Sequence, residues 1–401
     1  MDTLLKSAVG EICEEGNLVE VAGLLCGLGR LADIADWGRV FTDVAVWRPL
    51  VQAVLRRHDL VHCYACTEVQ PGERAGTHAV FVVGERWVVK IYGPFWSGDR
   101  EREIALYRRF ERLSTIGDGV ALPRLVAAGR LDPCTPGGGG RAWPYVVTTY
   151  LPGRRLGDVW PGLTPAARLA VARGLGAALR DLHRLAPSGL AVLRPALGSD
   201  GGGPAGDMSG GPDRGAGVGA DGSGDDERRR AWLEFVAQQA ATARERHSRW
   251  GRLTPALLAD IDGFLGRIEL PRAGWRPVVM SCDVTADHVL VERPGGGGGE
   301  GWRVSGLIDF GDAMIGDPEY EFVAVYVSAL GCEQASFDAM LNAYGYPAGE
   351  DYRKSLGRRL LGYMLLHRFD VFEGLPRAVV VAMRGASNLA AVADAIWVGR
   401  R

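Results

Sequence analysis

The chain has 401 residues with 46 Lys and Arg against 48 Asp and Glu, a net charge of −2. That balance leaves no basic footprint and argues against nucleic acid as the main partner, while a mildly acidic surface suits a cationic ligand. At 47% hydrophobic residues the chain can build two or three lobes around a large core.

Seven cysteines, at 13, 26, 63, 66, 134, 282 and 332, are scattered and odd in number, which does not read as a disulfide framework. Cys63 and Cys66 form one C-x-x-C without the second pair a zinc site needs. The opening residues bring acids early and lack a positive start followed by an apolar core, so no signal peptide is expected. No apolar run reaches membrane-spanning length, and a soluble cytoplasmic protein follows.

In chain order, helical spacing with glycine breaks over residues 3 to 35, then WRPLVQAVL from Trp47 to Leu55, predicts an N-terminal helical segment over 1–60. The period changes after that. Residues 64–70, 78–84 and 86–92 read as strands, with Pro71-Gly72 and Gly84-Glu85 as turns. The tip Arg74-Ala75-Gly76-Thr77 is able to donate backbone N–H groups to phosphates, although Gly76 alone equally fits a plain hairpin. Lys90 is unusual in an apolar strand, because a buried ammonium needs a partner. Taken alone it reads as a snorkelling edge residue. Glu103 lies on the helix REREIALYRRF, where Ile104, Tyr107 and Phe110 form an apolar face.

WPYVVTTYLPG, residues 143–153, reads as a buried strand ending in a Pro-Gly break. Pro165 to Leu185 is an amphipathic helix, with His183 capping or packing its end. Residues 197–226 hold almost no large apolar groups and are expected to be a disordered insertion. A helix over Arg228–Arg246 follows, then LTPALLADIDGFL with Thr254-Pro255 as its N-terminus. Three short apolar runs (Val278–Met280, His288–Val291, Val304–Ile308) carry two strand-end carboxylates, Asp283 and Asp309. Phosphoryl transfer asks for that layout: one carboxylate for the acceptor hydroxyl, another for a magnesium on the nucleotide phosphates. The Gly295–Gly299 run is a turn without the lysine or hydroxyl of a P-loop. Cys282 lacks a base and an orienting partner, and reads as a small loop side chain.

Ser281-Cys282-Asp283, then Ile308-Asp309-Phe310-Gly311-Asp312 and Gly316-Asp317-Pro318, resemble the aminoglycoside phosphotransferase family. The resemblance implies an α+β, protein-kinase-like fold of two lobes, a small mainly antiparallel β lobe over 61–152 and a larger helical lobe over 153–401, with nucleotide between them. VVKIYGPFWSG, WPYVVTTYLPG, SRWGRLTPALL and LLHRFDVFEGLP, in this order, look like its hygromycin B phosphotransferase branch.

It further implies ATP or GTP with Mg2+, Mn2+ being possible, and a cationic aminoglycoside-like acceptor. Lys90, placed by Glu103, binds phosphates; backbone from Thr148 through Tyr150 to Leu151 meets the purine, with Tyr150 either stacking on it or packing; Asp283 takes the acceptor proton; Asp309 binds metal. Asp312, Asp370 and Glu373 are candidates for the acceptor's ammonium groups. Ser281 stands where the family has His and His288 where it has a metal-binding Asn, so His288 either serves the metal or hydrogen-bonds the loop. Asp317 is expected to brace the catalytic loop and Glu321 to set packing or local charge. The alternatives are a kinase of another metabolite hydroxyl and a nucleotide-binding pseudokinase.

Overall fold

A computed structural model describes residues 34–60, 68–72, 77–93, 98–113, 115–131, 142–195, 223–294, 301–346 and 350–397. The helices expected before residue 34, Cys63 and Cys66, the Gly76 tip and the Gly295–Gly299 turn lie outside these residues. Most of the insertion expected over 197–226 does too, but its last four residues open a helix instead. The described residues fall into two compact units, one of 34–112 with 123–151, the other of 113–122 with 152–397.

The first unit is a five-stranded antiparallel sheet flanked by helices. β1 (Val69–Pro71), β2 (Ala79–Val83), β3 (Trp87–Ile91), β6 (Leu125–Leu131) and β7 (Trp143–Thr149) run in the order β1-β2-β3-β7-β6. Pro71 is the last residue of β1 rather than a turn, which an edge strand tolerates because it needs no N–H on its outer side. Alternation along β2 and β3 sends Phe81 and Val89 into a core shared with Trp143 and Tyr145. Helices α1 (Ile34–Val40) and α2 (Val44–Arg57) close that core with Trp37, Trp47, Leu50 and Val54, so the described part of the N-terminal helical segment packs on this sheet. Helix α3 is Asp99–Phe110.

The second unit mixes a larger helical set with two small sheets. One sheet has the order β4-β5-β11-β10-β8, from Thr115–Ile116, Val120–Ala121, Arg303–Leu307, Val289–Glu292 and Arg154–Arg155. The other pairs β9 (Val278–Met280) with β12 (Met314–Gly316). A short helix α4, Leu156–Val159, precedes α5, Pro165–His183, which starts at Thr164, whose hydroxyl accepts the Ala167 N–H. Then come α6 (Ser223–Trp250) and α7 (Pro255–Leu265). The expected cap is there: Thr254 accepts the N–H of Leu257, a standard way to satisfy an orphan amide of the first turn.

Helices α8 (Pro318–Ala324), α9 (Gln334–Tyr344), α10 (Glu350–Leu366), α11 (Arg377–Arg384) and α12 (Leu389–Trp397) complete the unit. Helix α5 packs against α9 at Gly176, where an added Cβ would lie 2.2 Å from the Met340 carbonyl oxygen. Beneath α8, Arg359 forks onto Glu319 at 2.7 and 2.9 Å, both side chains buried. Among the described residues, no helix is long and apolar enough to cross a membrane.

Candidate active site

In the first unit, strand β3 carries Lys90 between Val80 of β2 and Val146 of β7, and the side chain is only 6% exposed. An ammonium there must be paired. Its Nζ donates to Glu103 Oε1 at 3.0 Å, and Glu103, fully buried on α3, also accepts the hydroxyls of Tyr107 at 3.1 Å and of Tyr92. Tyr107, expected only to fill an apolar face, therefore carries a second duty at its tip. The sequence offered no signal for Tyr92, a tyrosine just past the strand end that closes the other side of the carboxylate.

The stretch Thr148 to Leu151 is partly committed already. Thr148 pairs with Val88 and Leu125 in the sheet. The Thr149 N–H goes to the Arg124 carbonyl at 3.0 Å and the Tyr150 N–H to the Arg86 carbonyl at 2.9 Å. A purine therefore cannot use those two donors without displacing these bonds.

In the second unit, the loop after β9 holds Ser281, Cys282 and Asp283. Cys282 takes the left-handed φ of +63°, a conformation that costs a side-chain-bearing residue energy unless its surroundings impose it. The restraint is visible: its N–H donates to Glu321 Oε1 at 2.8 Å. The other oxygen of Glu321 meets His183 Nε2, while His183 Nδ1 meets the Tyr344 hydroxyl at 2.8 Å. The roles expected of the two acids are thus exchanged. Asp317 caps α8 through the Glu319 N–H and accepts the Tyr363 hydroxyl, and Glu321, one turn further along, braces the loop. His183 does more than cap its helix.

Burial, with the Glu321 charge nearby, pushes the Cys282 thiol well above its ordinary range, so it stays protonated and inert as a nucleophile. Asp309 follows β11, also at a left-handed φ of +58°. Its Oδ1 accepts the Gly311 N–H at 3.1 Å and its carbonyl accepts the Ser281 hydroxyl at 3.3 Å. Phe310 is fully buried beside it.

His288 turns Nδ1 back onto the loop, 2.9 Å from the Asp283 carbonyl and 3.1 Å from Asp283 Oδ2. Burial disfavours a charge on this ring, but the hydrogen bond to Asp283 and the charges of Asp283 and Asp309 outweigh it and raise its pKa to about 10. Of the two roles left open for His288, this geometry displays the hydrogen bond to the loop. Magnesium asks for little from a protein, one or two carboxylates beside substrate phosphates and water, and the Asp309 carboxylate suits that demand.

The three acids expected to attract a cationic acceptor are already engaged. Arg368 meets Asp312 at 3.1 Å, and Arg252 bridges Asp370 at 2.8 Å and Glu373 at 2.9 Å. Arg252 and Asp370 come together across 118 positions of sequence.

Comparison with known structures gives the architecture a precedent. Aminoglycoside phosphotransferase APH(2'')-Ib with ADP bound superposes with a TM-score of 0.50 at 15% identity, covering 87% of this chain and 98% of the other. The GDP complex of aminoglycoside 2'-phosphotransferase-IIIa gives 0.51 at 13% identity over 78% and 87% of the two chains. The streptomycin-ATP-APH(2")-IIa ternary complex gives 0.50 at 16% identity over 79% and 88%. At such identities these structures establish the fold, which is the α+β kinase-like one. The family model described as the phosphotransferase enzyme family, APH, matches residues 68–356, a span that takes in Lys90, Glu103, Asp283, Asp309 and Glu321. The chain belongs to the APH phosphotransferase enzyme family and is a phosphotransferase.

Proposed function

We propose that the protein transfers the γ-phosphate of ATP or GTP to a hydroxyl group of a small cationic acceptor, an aminoglycoside or aminocyclitol. The observation that carries this reading is that the loops bearing the two strand-end carboxylates, Asp283 and Asp309, are tied together: the Ser281 hydroxyl donates to the Asp309 carbonyl at 3.3 Å and the Ile308 N–H to the His288 carbonyl at 3.0 Å. A proton acceptor and a metal-binding carboxylate set side by side are what in-line phosphoryl transfer requires.

The acceptor oxygen attacks the γ-phosphorus, its bond forms as the bond to the β,γ-bridging oxygen breaks, and the nucleoside diphosphate leaves. Asp283 takes the hydroxyl proton. Lys90, held by Glu103, binds phosphate oxygens, and Asp309 would hold magnesium, which when bound neutralises charge on the phosphates. The left-handed backbone at Cys282, held by Glu321, fixes the direction in which Asp283 is presented.

The acceptor class is supported by the streptomycin complex among the similar structures and by the four segments resembling the hygromycin B branch. The arginines on Asp312, Asp370 and Glu373 favour a second reading, a less cationic metabolite hydroxyl. Nucleotide turnover with Mg2+ or Mn2+ against an aminoglycoside panel including hygromycin B, with Asp283→Ala as control, separates them. Phosphate on a panel compound, lost in Asp283→Ala, supports the first reading; nucleotide binding without panel turnover supports the second.

A further inference from the structure

The first unit holds a buried histidine that the chemistry above leaves unused. His78, 2% exposed, lies one residue before β2. Its Nδ1 accepts the Gly93 N–H at 3.2 Å, which leaves the hydrogen on Nε2. Nε2 then donates to Asp99 Oδ2 at 3.0 Å. Burial keeps the ring below the ordinary histidine range against the pull of Asp99, consistent with a neutral donor.

Asp99 is the first residue of α3, and the N-cap, Gly98, makes no side-chain hydrogen bond to the helix. The other Asp99 oxygen accepts from Arg102 at 2.9 Å within the same helix. His78 therefore ties this helix start to the end of the sheet. Glu103 follows four residues later, on the same face of the helix. A second link reaches it directly: the His78 ring meets the Tyr92 ring edge-on at 4.8 Å, and the Tyr92 hydroxyl bonds Glu103.

We propose that His78 is a positioning residue for the Lys90–Glu103 pair, clamping Asp99 so that α3 keeps the height and rotation at which Glu103 holds the Lys90 ammonium. Its effect on turnover rests on the phosphate-binding role proposed for Lys90; its effect on the pair does not.

Two substitutions in the full chain separate the contacts of His78. In His78→Gln the amide nitrogen falls near the position of Nε2 and keeps the donor to Asp99. In His78→Asn the carbonyl oxygen falls near Nδ1, keeping the acceptor for Gly93 and losing Asp99. Labelling of Lys90 by an amine-selective acylating reagent is followed by mass spectrometry, with Glu103→Gln as the positive control.

Labelling in His78→Asn is expected to rise about tenfold, the scale of one lost buried hydrogen bond to a charged group, with a matching fall in kcat. His78→Gln should stay near wild type. Wild-type labelling rates in both variants, or equal gains in both, would overturn the proposal. If His78→Asn does not fold, Asp99→Ala reads the clamp from the helix side, with the same expected gain. Selective labelling in a protein that binds no nucleotide would uphold the clamp and refute the phosphate-binding role of Lys90.

Discussion

Glu321 accepts the backbone N–H of Cys282 at 2.8 Å, so a helix acid fixes the Ser281–Cys282 peptide, one link before Asp283. Glu321→Ala should leave that amide unpaired and let the loop relax from its left-handed turn. Misplacement of a reacting group by about 1 Å can cost roughly 100-fold in rate, and a fall in kcat of about that size with little change in nucleotide KM is expected from steady-state kinetics. Glu321→Gln keeps an acceptor for the amide and should lose much less.

The pair Lys90–Glu103 makes a different prediction, because Glu103 has three donors. Lys90→Met removes the charge but leaves both tyrosine hydroxyls on the carboxylate. Its cost in stability should therefore fall below the roughly 3–5 kcal/mol of a broken buried ion pair. Activity should fall about 100-fold or more through lost phosphate stabilisation. Urea unfolding and kinetics on the same sample check both halves; equal losses in Lys90→Met and Lys90→Arg would argue for charge geometry over charge alone.

His288 stands where the resemblance places an amide oxygen, and its Nδ1 bonds Asp283. His288→Asn should supply an oxygen ligand, which magnesium prefers, and lower the Mg2+ concentration for half-maximal activity several-fold. The measurement is a metal titration at saturating nucleotide. A requirement that rises in His288→Asn would show that the imidazole itself serves the metal.

Arg252 spans Asp370 and Glu373. If these acids receive the acceptor, the arginine competes with it, and Arg252→Gln should lower the KM for a polycationic aminoglycoside several-fold, most clearly at low salt where exposed charges act furthest. A higher KM would mean that Arg252 supports the acceptor site by ordering the acids.

Stability should respond to acid through two histidines. Burial, with like charge from Arg368 and Arg246, lowers His367 to about 3, and burial lowers His247 to about 4 against its hydrogen bond to the Leu365 carbonyl. Both native values lie below the ordinary 6.5, so their stabilisation is complete above pH 6.5 and fades as pH falls toward 4 and 3. Asp317 acts in the opposite sense. Burial and the Glu319 charge raise it from 3.8 to about 7, so its contribution is complete below 3.8 and is lost as pH rises through 7. Urea midpoints from pH 7 to 4 should fall in the wild type and fall less steeply in His367→Phe, which keeps the stack on Tyr320.

Strands β2, β3 and β7 were legible because their alternation or apolar density has one reading, and Thr254-Pro255 announced its helix through its cap. Lys90 stood out because an ammonium in an apolar strand demands a partner. The exchange of roles between Asp317 and Glu321 was not legible. Both acids belong to one short motif, and only the three-dimensional course of the Cys282 peptide decides which one it meets. Arg252 and Asp370 were likewise invisible as a pair, since charge and composition carry no signal across 118 positions. His78 gave a similar lesson: its partners, Gly93 and Asp99, are defined by a strand end and a helix start rather than by spacing.

Gly176 and His183 lie seven residues apart, two turns along one stripe of α5, and both face α9: Gly176 against Met340 and His183 against Tyr344. A saturation scan would therefore score position 176 as intolerant although glycine carries no side chain to take part in the reaction. Because the obstacle is the Met340 carbonyl, a backbone atom, exchanging the side chain at 340 offers no compensating route. Lineages carrying this seam would be expected to keep the glycine while the surface around it drifts.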